Sequence, residues 1–342
     1  MKRSGMFILL LLFCCAGRLA AQHATIAGRV LDGERGTPLA NANVFLANTP
    51  NGTSTGIDGS FRVTGVPPGV YTLVVSLVGY QLQARQVHVA AADSLTLTFI
   101  LEPRLLETEE IQTVAIAPVE WRKLLKLFVR EFIGQTSNAD ETRLLNPEVI
   151  NLRRDSVTRL LIASSDSIIR VENNALGYRL SIVLSKFAWN TDEGGGQYLV
   201  YPRFEAIEEA TSDIKKEWDT NRQLSYHGSF AHFLKSLVRG TLEQEGFTAH
   251  IGSITALRDG LEHPFTADAF SLTRLADSGL WQFSFDGWLK VQYRGWRRRT
   301  SYITLNKRVA VMDDRGHLAN PLCFETLGDW LEDRVAEMLP AD

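Results

Sequence analysis

Short runs of alternating apolar and polar residues, separated by turn residues, fill residues 24–103. The alternation is clearest in Leu95-Thr-Leu-Thr-Phe-Ile-Leu101, which places Leu95, Leu97 and Phe99 on one face of an extended strand. These runs predict six strands, at Thr25–Leu31, Ala42–Ala47, Ser60–Thr64, Val70–Leu77, Ala84–Val89 and Ser94–Leu101. Because no helical stretch interrupts them, they predict a small antiparallel β-sandwich over residues 22–103.

The pattern changes after a linker at residues 104–118. Trp121–Ile133 carries apolar residues three and four positions apart, with basic residues between them, which predicts an amphipathic helix. A helical block is predicted at 208–245, broken near His227-Gly228 and closed by Gly246-Phe247. Strands are predicted at 159–163, 168–171, 178–184, 197–201, 265–275, 281–293 and 300–305, before a terminal helix with Leu327, Trp330, Leu331, Val335 and Leu339 on one side.

These elements predict a multi-domain fold. The N-terminal all-β sandwich is followed by residues 119–342, which mix helices and strands in no alternating order and are interpreted as one α+β domain of unknown function.

The first residues follow an export pattern. A positive start, Met1-Lys-Arg3, precedes an apolar run at Phe7–Cys15, and small residues lead up to Ala21. The run is much shorter than a membrane span. We therefore predict a signal peptide at residues 1–21 cleaved near Ala21, no transmembrane span in the mature form, and an exported protein in the periplasm, associated with the outer membrane or extracellular. Lipidation at Cys14 or Cys15 is an alternative.

The net charge limits the classes of partner, and the cysteine content limits the disulfides that can form. Losing Lys2, Arg3 and Arg18 with residues 1–21 lowers the basic residues from 36 to 33 against 39 acidic ones, a net charge of −6. This balance predicts no nucleic-acid partner. Cys323 is then the only cysteine, so no internal disulfide can form, and its apolar surroundings predict a buried small side chain.

Five motifs in the predicted sandwich carry a family resemblance. They are Ile26-Ala-Gly-Arg-Val30, Thr37-Pro-Leu-Ala-Asn-Ala-Asn-Val44, Gly56-Ile-Asp-Gly-Ser-Phe61, Val66-Pro-Pro-Gly-Val-Tyr71 and Val78-Gly-Tyr80. In this order they resemble the carboxypeptidase regulatory-like domain of Bacteroidetes type. The resemblance implies a transthyretin-like (prealbumin-like) sandwich that acts as an accessory module of exported and outer-membrane proteins.

The name of that family does not predict peptidase activity here. A zinc carboxypeptidase needs a His-x-x-Glu pair and a further histidine, and none of the seven histidines has an acidic residue three positions later. We therefore assign no catalytic residue, no metal ligand and no cofactor. Strings such as Asn174-Ala-Leu-Gly-Tyr-Arg179 and Tyr226-His-Gly-Ser229 resemble an uncharacterised region that accompanies this sandwich, and they imply no activity.

The densest polar and aromatic cluster lies in the helical block. It consists of Trp218, Arg222, Tyr226, Ser229, His232, Ser236 and Arg239. Spacings of three and four would align these residues on one face of a continuous helix, where they could bind a sugar or a peptide by stacking and charge-assisted hydrogen bonds. Alternatively, the aromatic residues pack on the sheet while Arg and His satisfy carbonyls at its rim. A break at Gly228 would also rotate the second half away.

Two polar runs have simpler interpretations. Gly194-Gly-Gly196 is predicted to be a flexible hairpin tip, because no Lys-Ser or Lys-Thr follows as in a phosphate loop. Arg297-Arg-Arg299 is predicted to be a solvated turn, with a surface anion site as the alternative.

The leading functional hypothesis is a non-catalytic exported cell-envelope protein, an accessory or binding module for a protein partner or a glycan. The alternative is a hydrolase with its active site in the C-terminal domain, around Ser229 and His232. The two hypotheses differ in geometry, since a hydrolase needs the Ser229 hydroxyl within hydrogen-bond reach of a ring nitrogen of His232.

Overall fold

The computed structural model describes residues 23–104, 118–192, 194–252, 270–276 and 278–341. The predicted signal peptide and most of the predicted linker lie outside these residues. The described chain builds three main hydrophobic cores, one in the sandwich and two in the region that follows it.

The first core lies between the two sheets of the predicted sandwich. The strands are β1 (Ala24–Asp32), β2 (Asn43–Leu46), β3 (Gly52–Ser54), β4 (Ser60–Val66), β5 (Gly69–Ser76), β6 (Gln83–Val89) and β7 (Ser94–Leu101). One sheet has the order β4-β1-β7 and the other β3-β2-β5-β6. The six predicted strands are all present, and the short β3 was missed because Asn51-Gly52 indicates a turn.

One pairing departs from the prediction of an antiparallel sandwich. Strand β7 runs parallel to β1, from Thr25 opposite Ser94 to Asp32 opposite Leu101. The chain leaves β6 in one sheet and crosses to the other before β7 begins, so β7 enters beside β1 in the same direction.

The second core lies between a helix and a six-stranded sheet. The elements are α1 (Pro118–Ile133), α2 (Ser137–Asp140), β8 (Thr142–Leu144), a 3-10 turn (Pro147–Val149), β9 (Ile150–Arg154), β10 (Leu161–Ser165), β11 (Ile169–Asn173), β12 (Tyr178–Asn190) and β13 (Gly195–Ala206). The sheet order is β8-β11-β12-β10-β9, with β13 on β12. Helix α1 buries its apolar face here, where Phe128 lies 4.7 Å from Phe132 and 4.9 Å from Phe187, measured between ring centroids.

The third core lies between two helices and two further sheets. The elements are α3 (Ser212–Tyr226), α4 (Phe230–Arg239), β14 (Phe247–Gly252), β15 (Phe270–Arg274), β16 (Trp281–Phe285), β17 (Trp288–Arg294), β18 (Arg298–Leu305), β19 (Ala310–Met312) and β20 (Phe324–Gly328). The sheet orders are β14-β17-β18-β20 and β15-β16-β19. The assignment of residues 119–342 to one α+β domain stays a prediction; its described part contains two cores.

The helical block breaks where the sequence predicts it. Helix α3 ends at Tyr226 and α4 begins at Phe230, with Gly228 between them at φ 82°. The predicted end at Gly246 is wrong, because Gly240 adopts the left-handed conformation and closes α4 six residues earlier.

The predicted terminal helix is also wrong. Residues Phe324–Gly328 form β20 on β18, and 3-10 turns follow at Asp329–Leu331 and Val335–Glu337. The polar residues of this C-terminal segment (329–338) bind distant strands. Arg299 Nη2, for example, donates to Asp333 Oδ1 and to the Asp329 carbonyl, each at 2.7 Å.

The same contact corrects the prediction for Arg297-Arg-Arg299. Arg297 and Arg298 are exposed as expected, but Arg299 is only 7% exposed. Alternation along β18 turns its side chain inward, where Asp333 neutralises it.

The sandwich is joined directly to the second core. Its β2–β3 turn lies beside edge strand β13, where the Asn48 amide donates to the Pro202 carbonyl at 2.7 Å and the Phe204 amide donates to the Thr49 carbonyl at 3.1 Å. Buried apolar residues of β2 and β5 pack there against Val183 and Tyr201. These contacts fix the sandwich against the rest of the chain.

Candidate functional site

The first half of the predicted cluster lies on α3 and binds backbone carbonyls. Trp218 Nε1 donates to the Asn174 carbonyl at 2.6 Å, and Arg222 Nε donates to the Leu176 carbonyl at 2.8 Å. Between them, Asn221 Nδ2 donates to Ala175 at 3.0 Å. Three successive carbonyls of the β11–β12 turn are thus satisfied by one helix face, and Trp218 is 6% exposed.

Ser229 and His232 lie beyond the helix break and do not form a catalytic pair. The Ser229 side-chain oxygen accepts from the backbone amide of His232 at 3.1 Å, which makes it the N-cap of α4. The two ring nitrogens of His232 are engaged elsewhere, Nδ1 accepting from the Gly228 amide at 3.1 Å and Nε2 lying 3.2 Å from Glu245 Oε2. A hydroxyl that caps a helix in this way has no base to activate it.

Burial sets the protonation of His232. Its side chain is 3% exposed, and desolvation lowers the pKa of His232 below its usual value, although the Glu245 carboxylate opposes this shift. The ring is therefore neutral near pH 7, with Nδ1 as acceptor and Nε2 as donor to Glu245. This is a structural role within the α3–α4 junction.

Aromatic side chains surround His232, and a chain of ring contacts leads from it to an exposed tryptophan. Tyr226 lies 4.8 Å and His227 5.1 Å from the His232 ring. His227 in turn stacks on Trp296 at 4.6 Å with an angle of 26° between the planes. Trp296 is 61% exposed.

The exposed ring belongs to the tip of the β17–β18 hairpin. We call the set of His227, Arg294, Trp296, Arg297 and Arg298 the tip patch. The four hairpin members are exposed, so the patch presents one large aromatic ring among three guanidinium groups. Sequence reasoning missed Trp296. The sequence signal that could have identified it is a tryptophan in the turn between two predicted strands, where its side chain has no core to enter.

Two glycines hold the hairpin against the helix break. A Cβ on Gly228 would lie 2.6 Å from the Tyr293 ring, and a Cβ on Gly295 would lie 2.1 Å from the Tyr293 hydroxyl. Tyr293 is 3% exposed and packs against His232 and Phe247. The close approach allowed by these glycines positions the tip patch.

The remaining predicted residues are dispersed. Ser236 donates to the His232 carbonyl at 2.8 Å inside α4, and Arg239 is exposed on the last turn of that helix, away from Trp218 and Arg222. The structure therefore divides the predicted cluster into three parts instead of one face, because the break at Gly228 reorients the second half.

Among the described residues, no group of three or more His, Cys, Asp or Glu side chains could hold a metal ion. None of the helices in the described ranges has the length and apolar content of a membrane span. Cys323 is 2% exposed as predicted, and burial raises the pKa of its thiol to about 11. Such a thiol is unreactive near neutral pH.

Comparison with known proteins identifies the sandwich. Residues 26–113 match the family model of the CarboxypepD_reg-like domain. A TonB-dependent receptor, P39 of Formosa agariphila, is 43% identical over 79 residues, which are 22% of this chain and 7% of the receptor. The chain thus spans only a small fraction of the length of this curated relative.

Solved structures overlap with the chain only in part. The pilus 2b backbone protein of group B streptococcus is 21% identical, and the match covers 23% of this chain and 40% of the pilus protein, with a TM-score of 0.20. The major pilin subunit BcpA of Bacillus cereus is 14% identical, and the match covers 24% of this chain and 31% of the pilin, with a TM-score of 0.22. These values are too low to support a functional argument. The family match and the motif order show that residues 26–113 of this chain form a CarboxypepD_reg-like domain of Bacteroidetes type.

Proposed function

We propose that this is a non-catalytic exported protein of the cell envelope, which binds a protein partner through the tip patch. The CarboxypepD_reg-like domain is a non-catalytic module. The match to part of a TonB-dependent receptor supports an envelope location, in the periplasm or at the outer membrane.

One observation carries the proposal: Trp296 is held rigidly and yet exposed. Its ring stacks on His227, its backbone amide donates to the Tyr293 hydroxyl at 3.4 Å, and it remains 61% exposed. Tryptophan and arginine dominate the binding energy of protein interfaces, where a rigid ring fills a pocket of the partner at little cost in entropy. The tip patch has this composition on a protruding hairpin, which favours a protein partner with an acidic pocket over a glycan held in a groove.

The alternative of a hydrolase has no support in the α3–α4 junction. The Ser229 oxygen meets the backbone of His232 and not its ring, and both ring nitrogens have other partners. A nucleophile needs its base within hydrogen-bond reach. The geometry therefore favours the binding function.

A pull-down from the envelope fraction tests the proposal. The purified protein should enrich a distinct protein, and Trp296→Ala should lose it, while Val157→Ala, which removes an even more exposed apolar side chain elsewhere, should retain it. If wild type and Trp296→Ala enrich the same proteins, the tip patch is not the binding surface. Enrichment of a polysaccharide without any protein would indicate that the partner is a glycan.

A further inference from the structure

A cleft of about 340 Å³ lies between α1, the β12–β13 hairpin and the C-terminal segment. Its walls include Arg130, Glu131, Trp189, Glu332 and Arg334. It is lined by none of the residues of the tip patch, so its properties are independent of the function proposed above.

Arg334 lies in the wall of this cleft, against two aromatic rings. It is 9% exposed, and its guanidinium carbon lies 4.2 Å from the centroid of the Trp189 ring and 5.8 Å from that of Tyr198. Both distances are within the range of cation–π contact, and these contacts restrict the movement of the guanidinium. Arginine stays protonated in proteins, so a full positive charge is placed here.

Three acidic residues act on Arg334: Glu131 and Asp333 pair with other arginines, and Glu332 is exposed and forms no ion pair with it. Glu131 Oε1 pairs with Arg130 at 2.6 Å, and Asp333 Oδ1 pairs with Arg299 at 2.7 Å. None of the ion pairs between described residues includes Arg334. A buried charge without a partner is costly, which is why buried charges in proteins are normally paired.

A second donor in the same wall is also unused. Trp189 is 2% exposed, and its indole Nε1 has no hydrogen-bond partner among the described residues. Buried indole N–H groups usually find an acceptor. The Trp189 N–H and the Arg334 guanidinium stacked on its ring thus lie side by side at the cleft, and neither has an ion-pair or hydrogen-bond acceptor among the described residues.

The remaining charges select the kind of anion. Two carboxylates, Glu131 and Glu332, also line the cleft, and they would repel a dianion such as phosphate more strongly than an anion with a single charge. A carboxylate carries a single charge and matches the planar guanidinium fork. Gln135 and Glu332, which are exposed at the edge of the cleft, offer hydrogen-bond partners for hydroxyl or amide groups.

We propose that this cleft binds a small monocarboxylate that bears hydroxyl or amide groups, with its carboxylate on Arg334 and Trp189. The volume suits one sugar acid or the last residue of a peptide. Both kinds of ligand share the carboxylate group that would bind Arg334.

The indole N–H signal of Trp189 in an NMR titration tests this directly. The signal is identified by its disappearance in Trp189→Phe, which keeps the aromatic packing. Sodium glucuronate is compared with glucose, and N-acetylalanine with its amide, so each acid has a neutral match. At least one acid should shift the signal in a saturable way while its neutral match does not. A shift with glucuronate alone assigns a sugar acid, and a shift with N-acetylalanine alone assigns a peptide terminus.

Variants separate Arg334 from general effects. Arg334→Lys keeps the charge but removes the fork and should weaken binding about tenfold, the loss of one charge-assisted hydrogen bond. Arg130→Gln lies at the surface of α1 and should weaken binding about threefold by leaving Glu131 unneutralised. Arg239→Gln, on an exposed turn of α4, should change nothing.

Three results would overturn the proposal. The neutral ligands could shift the indole signal as much as the acids do, inorganic phosphate could bind more tightly than both acids, or Arg130→Gln and Arg334→Lys could keep the wild-type dissociation constant. If Arg334→Lys fails to fold, Arg130→Gln decides alone.

Discussion

Asp313 lies 243 positions after Val70 and accepts a hydrogen bond from its backbone amide, with 3.2 Å between Asp313 Oδ2 and the Val70 nitrogen. The same carboxylate faces the ring of His317, whose Nδ1 is 3.3 Å away, and accepts from the amides of Arg315 and His317. Asp313 is 6% exposed. A carboxylate that follows strand β19 is thus buried against the sandwich and ties the sandwich to the third core.

This contact predicts acid sensitivity. Burial alone would raise the pKa of Asp313, but hydrogen bonds from the His317 ring, the His317 amide and the Val70 amide lower it to about 2 from the usual 3.8. A lowered pKa stabilises the fold above pH 4, and that stabilisation, about 2 kcal/mol, is lost as the pH falls toward 2. Urea titrations of wild type and Asp313→Asn should therefore give unfolding free energies that approach each other as the pH falls from about 4 toward 2.

The neighbouring Asp314 provides the control for that prediction. Its side chain is 65% exposed, so the loss of its charge in Asp314→Asn should lower the free energy of unfolding at pH 7 much less than Asp313→Asn does. Equal differences between wild type and Asp313→Asn at pH 7 and pH 2.5 would contradict the lowered pKa.

His232 should titrate below its ordinary range. Desolvation lowers the pKa of His232, so its neutral form is favoured in the fold, and stability should decrease as the pH falls below about 6.5. The ring resonances of His232 in an NMR titration measure this. Glu245→Gln should lower the pKa further by removing the opposing carboxylate, whereas Glu243→Gln should not. A His232 pKa above 6.5 would show that the ring is not buried as described.

Gly228 should tolerate no side chain. It combines φ 82° with a position where a Cβ would lie 2.6 Å from the Tyr293 ring. Gly228→Ala should lower the free energy of unfolding by about 3 kcal/mol, from backbone strain and overpacking together. Gly240→Ala has a similar φ of 66° and no atom within 4 Å, so it should cost only about 1 kcal/mol. Equal losses for the two variants would mean that Tyr293 moves aside freely.

The C-terminal segment depends on a buried ion pair. Arg299→Met would leave Asp333 without its partner and should lower the free energy of unfolding by about 3–5 kcal/mol. Arg298→Met, one position earlier and exposed, should change it by less than about 0.5 kcal/mol. Similar small effects for both would contradict the inward position of Arg299.

The sandwich could be predicted from the sequence because its signals are local. Alternation along Ser94–Leu101 and turn residues such as Asp58-Gly59 act within a few positions, and β7 and β4 begin where the pattern places them. The parallel pairing of β1 with β7 could not be predicted, because strand direction depends on which sheet the chain has crossed to.

The candidate site was harder to predict from the sequence, because its contacts are also non-local. Trp218 and Arg222 have the composition of a binding face, but their partners are carbonyls more than forty positions earlier, which no local pattern reports. The C-terminal helix was predicted from the spacing of Leu327, Trp330 and Leu331, whereas pairing of Leu327 with Tyr302 on β18 makes that region a strand. Tertiary contacts here override helical periodicity.

Photocrosslinking at the tip patch tests the central claim of a protein partner most directly. p-Benzoylphenylalanine in place of Trp296 should give, on irradiation of intact cells, one discrete adduct larger than the protein itself. The same residue in place of Val157, which is 87% exposed, should not give that adduct. The absence of any adduct from position 296, or the same adducts from both positions, would contradict the claim that this hairpin binds a partner.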